Sequence, residues 1–172
     1  MAGAMNQPPR DSPHLVTVAT TIRPCRPDEI SAVLDVWRRA EAIPSITDTP
    51  EDLARLLRHD ADALLVALAG DRIVGTAIAT WDGWRGTIWR LAVLPEARRR
   101  GVARALLTEA EARLRARGVR RLSILVESTD AQALTFWTAR ADMGYEPDAG
   151  ARRYVKNLGG GLCPPSDARR SP

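Results

Sequence analysis

The chain has 172 residues, of which 45% are hydrophobic and 27% charged, a composition typical of one globular domain. Its longest apolar runs, such as residues 63–69, are far shorter than the roughly 20 residues that a membrane-spanning helix needs, so no span is predicted. The net charge of +4 and the pI near 9.8 are compatible with an anionic partner. Cys25 and Cys163 match neither metal-ligand nor disulfide spacing, which favours a reducing, cytoplasmic setting.

The first half of the chain predicts a strand, two helices and an antiparallel meander. Residues 1–14 contain prolines and no apolar stretch, so we expect a disordered lead and not a secretory signal. Residues 15–22 have the composition of a strand, which Pro24 is predicted to end. Helices are predicted to open at Pro27 and after the cap Thr49. Three further strands are predicted over residues 63–69, 72–81 and 87–93, with turns at Gly70-Asp71 and Asp82-Gly83.

The second half predicts a long helix, a strand, a shorter helix and a last strand. Residues 119–126 form the predicted fifth strand, Asp130 caps the shorter helix, and residues 152–158 can supply the last strand. Residues 159–172 have the composition of a flexible tail. The long helix covers residues 101–117, and its buried stripe is predicted to consist of Val102, Leu106, Leu107, Ala110 and Leu114.

The most informative segment joins the fourth strand to the long helix. Residues 91–93 end a strand, consecutive arginines follow at residues 98–100, and a helix starts at Gly101. Unsatisfied N–H groups and the positive end of the helix dipole converge there, which suits a pyrophosphate. Gly101 lets a ligand approach the backbone, Ala103 keeps the first turn small, and Arg104 follows one turn later. The alternative interpretation is a solvated arginine-rich turn before an ordinary helix.

This segment resembles the acyl-CoA loop of the GNAT N-acetyltransferase superfamily, which is written Arg/Gln-x-x-Gly-x-Gly/Ala. Arg98, Gly101 and Ala103 fill that pattern. The chain as a whole is similar to small, single-domain bacterial members. The resemblance implies an α+β fold over residues 15–158, with a mixed, mostly antiparallel, splayed central sheet and about four helices. Further features in family order are Pro95, Asp130, Ala133 and Gly144-Tyr145.

The resemblance also implies the cofactor and the residues that hold it. Acetyl-CoA would be the co-substrate, and no metal is expected. In this family the fourth and fifth strands splay apart, and pantetheine pairs with the exposed backbone of strand four. By resemblance, pantetheine would contact Leu91, Ala92 and Val93; the pyrophosphate would contact Arg98, Arg99, Arg100, Gly101, Val102, Ala103 and Arg104; Asp130 and Trp137 would complete the cofactor site.

The reaction that the resemblance implies is direct attack of a neutral amine on a thioester, which needs a base and a proton for the thiolate. The family's usual tyrosine acid is replaced by Trp137, whose indole cannot act as an acid near neutral pH. Positions that commonly carry a glutamate base hold Trp89 and Leu125. Glu127 is the candidate base, on the same face as Leu125 if the strand continues. A solvated strand-end carboxylate is the alternative.

The proton donor to the thiolate stays open. Tyr145 is interpreted as a core residue, because Gly144-Tyr145 resembles the pair that begins the family's last hairpin. Tyr154 is a further candidate without a predicted place. Without a side-chain acid, the thiolate would take its proton from water or from the product ammonium.

The acceptor side is predicted from position alone. Residues 42–48 lie where this family's acceptor groove is walled, and nearby carboxylates could hold a cationic amine. Three tryptophans around the Asp82-Gly83 turn could line the pocket or pack across the hairpin; packing is favoured for two of them, Trp81 and Trp89, and Trp84 stays open. The candidate carboxylates are Glu41, Asp48 and Asp82.

Two functions therefore stay under consideration. The first is an acetyl-CoA-dependent N-acetyltransferase acting on a primary amine of a small molecule, peptide or protein. The second is a non-catalytic acyl-CoA-binding sensor, which Trp137 and Leu125 favour because they replace the expected tyrosine and glutamate. Binding to nucleic acid has only the pI in its favour and is not predicted. A homodimer is compatible with the sequence.

Overall fold

The computed structural model describes residues 20–151. The predicted lead (1–14), the first part of the predicted first strand (15–19), the last strand (152–158) and the tail (159–172) lie outside these residues. Within them, the strands are β1 (Thr20–Pro24), β2 (Leu64–Ala69), β3 (Arg72–Trp81), β4 (Gly86–Val93) and β5 (Leu122–Ile124). The helices are α1 (Ile30–Arg39), α2 (Pro50–His59), α3 (Val102–Ala116) and α4 (Ala131–Thr138), with 3-10 turns at Pro27–Glu29, Pro95–Ala97 and Ala141–Met143.

The strands form one mixed sheet in the order β1-β2-β3-β4-β5. The first four are antiparallel neighbours, and β5 pairs parallel to β4 after the crossover through α3. The predicted α+β fold with a mostly antiparallel sheet is therefore confirmed. The fifth strand is shorter than predicted, because pairing stops at Ile124 and does not reach Val126.

Strand β1 ends at Pro24, as predicted. This proline lies opposite Leu65. Proline lacks a donor but tolerates extended backbone, and in the described part of the chain β1 is an edge strand, so little pairing is lost.

Helices α1 and α3 cover opposite faces of the sheet. Trp37 of α1 donates its indole N–H to the hydroxyl of Thr76 on β3 at 2.8 Å. Gly75 points the other way, since neighbouring strand residues alternate, and a Cβ there would lie 3.1 Å from Cγ1 of Val102 in α3. All five predicted apolar residues of α3 are buried: Val102, Leu106, Leu107, Ala110 and Leu114.

The predicted start of α2 is confirmed in atomic detail. The Thr49 side chain accepts a hydrogen bond from the Asp52 N–H at 3.1 Å, and Pro50 occupies the first turn, where its missing N–H costs nothing. Between residues 20 and 151, we find no helix with the length and apolar character needed to cross a membrane.

Candidate active site

Strand β4 loses its partner on one side halfway along its length. Its parallel pairing with β5 ends at Ile88 opposite Ile124, whereas β4 continues to Val93. Leu94 donates its N–H to Val74 of β3, so the backbone of Val93 faces the opposite, open side by strand alternation. The segment from Leu91 to Val93, predicted to hold pantetheine, thus forms an open sheet edge.

Arg98 lies beside this edge and connects three elements. Its guanidinium donates to the carbonyl oxygens of Val93 at 3.0 Å and Ala40 at 3.1 Å, and to Oε1 of Gln132 at 3.0 Å. These contacts join the end of β4 to α1 and α4. Three of its five N–H groups are used in these bonds and all three acceptors are uncharged, so a contact between Arg98 and the pyrophosphate stays a prediction. The carbonyl oxygen of Val93 accepts one of these bonds and keeps a second lone pair.

The loop before α3 has the geometry of an anion site. Gly101 is the N-cap, with a φ of 81°, and a Cβ built on it would meet no atom within 4 Å. The N–H groups of the first turn, which includes Ala103, have no acceptor inside the helix. Arg99 and Arg100 are exposed and form no ion pair within residues 20–151. Arg104, which was expected to contact the pyrophosphate, forms an ion pair with Asp142.

The opening between β4 and β5 is next to a β-bulge that the sequence analysis did not predict. Thr76 lies opposite Ala92 and Ile78 lies opposite Trp89, so a single β3 residue faces two residues of β4. Arg90, one of these two, has a φ of 51°. Its carbonyl accepts a hydrogen bond from the Thr76 hydroxyl at 3.2 Å. Thr76 is completely buried, and a polar residue within an apolar strand was the signal that could have revealed it.

The side chain of Arg90 reaches the segment between α1 and α2. It donates to the carbonyl of Ile43 at 2.7 Å and forms an ion pair with Asp48. Asp48 was expected to hold a cationic amine, and this needs correction because Arg90 already neutralises it. The two other carboxylates differ: Glu41 is exposed, with a φ of 57°, and Asp82 accepts hydrogen bonds from N–H groups of its own turn.

Glu127, the candidate base, lies in a loop. Because β5 ends at Ile124, strand alternation does not place Glu127 on the face of Leu125, and that argument was wrong. Both side chains are exposed, and the Glu127 carbonyl accepts a hydrogen bond from the N–H of Asp130 at 3.0 Å. Asp130 itself caps α4 as predicted, accepting from the N–H of Ala133 at 2.8 Å. A catalytic role of Glu127 stays a prediction.

Trp137, predicted at the cofactor site, belongs to an aromatic cluster. Its ring centroid lies 5.1 Å from that of Phe136 and 5.2 Å from that of Tyr145, both edge to face. The Tyr145 hydroxyl donates to Oε1 of Glu111 at 2.7 Å. Burial and this bond raise the pKa of Tyr145. Tyr145 is therefore a packing residue, as the sequence indicated; Tyr154 lies outside the described residues.

The three tryptophans near the β3–β4 turn are more exposed than the packing interpretation predicts. Trp81 is 40% exposed, Trp84 70% and Trp89 37%. The register places Trp81 opposite Gly86 and Trp89 opposite Ile78, so they are not a cross-strand pair. Packing of Trp81 and Trp89 across the hairpin stays a prediction. In residues 20–151, no group of three or more His, Cys, Asp or Glu side chains is arranged to hold a metal ion.

Fold and site together define an acyltransferase-type architecture: a sheet with an open β4 edge that leads into a glycine-capped, arginine-rich helix start. The family model described as "Acetyltransferase (GNAT) family" matches residues 30–144, and the chain belongs to this family. A curated acetyltransferase of Pectobacterium atrosepticum is 39% identical over 111 residues, covering 64% of this chain and 79% of the relative.

Solved structures with lower identity share the fold. Ard1 from Thermoplasma volcanium has a TM-score of 0.63 at 22% identity, covering 71% of this chain and 81% of its own. The diaminobutyrate acetyltransferase of Paenibacillus lautus, solved with L-2,4-diaminobutyric acid and coenzyme A, has a TM-score of 0.62 at 21% identity, covering 73% of this chain and 76% of its own.

Proposed function

We propose that this protein is an acetyl-CoA-dependent N-acetyltransferase that acetylates a primary amine of a small molecule, peptide or protein. The observation that carries the proposal is the continuity between the open backbone at Leu91–Val93 and the start of α3 at Gly101. An extended pantetheine arm can pair with such an edge as an added strand. A pyrophosphate suits the helix start that follows. The diaminobutyrate acetyltransferase, which binds coenzyme A and an amine, supports the same class of reaction.

The residues present fit coenzyme A. The space over Gly101 is open, so a phosphate can approach the backbone there. Arg99 and Arg100 are exposed on the same turn and supply positive charge. At the other end of the site, Leu91 presents its backbone beside the bulge, where the thioester end would lie. When bound, acetyl-CoA supplies the activated acetyl group.

The chemical step transfers the acetyl group without a covalent enzyme intermediate. A C–N bond forms between the amine and the acetyl carbon, the C–S bond breaks, and coenzyme A leaves as a thiolate. We propose that Glu127 removes the proton from the ammonium, directly or through water. The thiolate then takes a proton from water or from the product ammonium. Tyr145 does not serve as the proton donor to the thiolate, because its hydroxyl donates to Glu111.

A panel of primary amines tests this function. Purified protein is incubated with acetyl-CoA and each amine, and thiol release and the acetylated product are both measured. We expect turnover with at least one amine class and product formation equal to thiol release. Thiol release without acetylated amine would contradict amine transfer.

The second candidate is a non-catalytic acyl-CoA sensor, and the replacement of the family's usual tyrosine and glutamate favours it. Trp137 is packed in an aromatic cluster, and Leu125 is apolar. Tight binding of acetyl-CoA with no turnover across small amines and peptides would support the sensor over the enzyme.

A further inference from the structure

We propose that Arg90 is a positioning residue that holds the segment between α1 and α2 against the bulge of β4 and so orders the acceptor side of the reaction. The inference rests on the proposed function, because it assigns this segment to the amine and the open β4 edge to the cofactor. We name the contacts of the Arg90 guanidinium with Ile43 and Asp48 the Arg90 link.

The backbone of Arg90 is held in place by hydrogen bonds from buried residues. Its φ of 51° is a conformation that residues other than glycine rarely adopt, so the surrounding contacts must hold it. The Thr76 hydroxyl donates to its carbonyl at 3.2 Å, and that hydroxyl in turn accepts from the Trp37 indole at 2.8 Å. Trp37 and Thr76 are both buried, so this arrangement is sheltered from competing water.

The side chain of Arg90 is held by contacts with the segment between α1 and α2. The distance from Nη1 to the Ile43 carbonyl oxygen is 2.7 Å, and Nη2 contacts Oδ2 of Asp48. Oδ2 of Asp48 also accepts the N–H of Ser45 at 2.8 Å, and the Asp48 N–H donates to the Ser45 carbonyl at 3.1 Å. The Arg90 and Asp48 side chains are each only 18% exposed, so solvent and salt screen their attraction weakly.

The Arg90 link lies where the proposed cofactor edge of β4 meets the segment between α1 and α2. Arg90 follows Ile88, the last β4 residue paired with β5, by two positions, and it directly precedes Leu91 on the open edge. The segment carrying Ile43 and Asp48 is therefore held beside the end of the cofactor edge where an acyl group would meet an amine. Loss of the Arg90 link would free the segment between α1 and α2, which we assign to the acceptor amine. The proposed pyrophosphate loop at Gly101 would stay intact.

The first experiment does not depend on activity. Amide hydrogen exchange of Ser45 and Asp48 is measured in the full chain for Arg90→Gln, Asp48→Asn and the double variant. We expect each single variant to speed exchange of the Ser45 amide about tenfold, and the double variant to add little, because both break one interaction. Arg55→Gln is the matched control, since Arg55 forms an exposed ion pair with Asp52 on α2.

The second experiment measures kinetics with an amine found in the panel. We expect the acceptor KM to rise about tenfold in Arg90→Gln, with the acetyl-CoA Kd within about twofold of wild type. Arg90→Lys should recover part of the loss, because it keeps the charge but not both contacts. Unchanged exchange at Ser45, additive effects in the double variant, or a loss confined to acetyl-CoA binding would overturn the proposal.

The two hypotheses fail separately. If the wild-type protein does not bind acetyl-CoA, the proposed function fails, whatever the exchange experiment gives. If acetyl-CoA binds and amines turn over while Arg90→Gln and Asp48→Asn leave exchange and acceptor KM unchanged, only the role of Arg90 fails. If Arg90→Gln does not fold, the exchange profile and acceptor KM of Arg90→Lys provide the test.

Discussion

The Thr76 hydroxyl donates a hydrogen bond to the carbonyl oxygen of Arg90 at 3.2 Å, and this contact ties the central strand β3 to the bulge of β4. The same hydroxyl accepts from the Trp37 indole, so α1, β3 and β4 meet at one buried polar group. The open edge of β4, which we propose holds the cofactor, begins with the next residue, Leu91. The geometry of the proposed site is thus set from the core of the protein.

Thr76→Val tests this relationship, because valine keeps the shape but removes the hydroxyl. We expect a loss of about 1–3 kcal/mol in the free energy of unfolding, since the indole N–H and the Arg90 carbonyl both lose a buried partner. Urea unfolding measures the loss. Thr80→Val is the matched control on the same strand, where the hydroxyl reaches the Thr87 carbonyl at a long 3.4 Å. Equal losses in the two variants would contradict the assigned importance of Thr76.

Gly101→Glu tests the proposed pyrophosphate site. No atom lies within 4 Å of the Cβ position, but the φ of 81° strains any side chain there, so circular dichroism first checks that the variant folds; the new carboxylate would repel a phosphate at the helix start. We expect the Kd for acetyl-CoA to rise at least about a hundredfold, measured by calorimetry. Gly101→Asn is the control, because asparagine tolerates the positive φ and carries no charge. Comparable binding by wild type and Gly101→Glu would argue against a phosphate at this loop.

The ion pair of Glu29 should make the free energy of unfolding fall in acid. A bidentate contact with Arg23, at 2.7 and 2.5 Å, holds the pKa of this buried carboxyl at about 2. The folded-state pKa lies below the value of about 4.3 for an unfolded glutamate, so the stabilisation is present above that value and is lost as pH falls towards 2. Between pH 7 and pH 3, Glu29→Gln should lose about 1–2 kcal/mol less than wild type.

Urea unfolding at the two pH values measures the effect of Glu29. Asp28→Asn is the control, since the side chain of Asp28 is 73% exposed and makes only a 3.3 Å contact with Arg26. Parallel loss of stability in wild type and Glu29→Gln would show that another group governs acid unfolding.

Gly75→Ala tests how α3 is seated on the sheet. A Cβ at Gly75 would lie 3.1 Å from the Ala92 carbonyl oxygen and 3.1 Å from Cγ1 of Val102, so helix or strand must move. We expect a loss of about 1–3 kcal/mol in unfolding free energy and weaker acetyl-CoA binding, because Val102 begins the helix that carries the site. Gly150→Ala is the control, because its Cβ would meet its nearest atom at 3.7 Å. It should change neither the free energy of unfolding nor the binding of acetyl-CoA.

Glu127→Gln tests the proposed base. With the carboxylate removed, kcat should fall about a hundredfold at neutral pH and recover at a pH high enough to deprotonate the amine in solution. The acetyl-CoA Kd should not change. A pH profile and turnover identical to wild type would remove Glu127 from the mechanism and return it to the role of a solvated carboxylate.

Much of the fold was predictable because local patterns determine it. The stripe from Val102 to Leu114 has helical spacing, and Thr49 followed by Pro50 is a strong helix start, so α3 and α2 were found correctly. The length of β5 was not predictable, because the apolar residues 125–126 fit a strand equally well. Where the pairing ends depends on the divergence of β4 and β5, which is a tertiary property.

The same limit applies to the site. The glycine and arginine pattern located the loop before α3, since that sequence combines a special backbone with charge. It could not show that Arg98 and Arg104 have partners within the protein, because Gln132 and Asp142 lie far along the chain. The bulge at Arg90 was also missed, since its sign in the sequence lies on the neighbouring strand, in the buried polar residue Thr76 that bonds its carbonyl.

Calorimetric titration of the full chain with acetyl-CoA decides whether the protein binds the proposed co-substrate. We expect one site per chain with a Kd on the order of 10 µM. Binding should weaken as salt rises, because Arg99 and Arg100 attract phosphate through partly screened charge. Absence of binding at millimolar acetyl-CoA, in protein shown to be folded, would contradict the cofactor assignment and with it the proposed acetyl transfer.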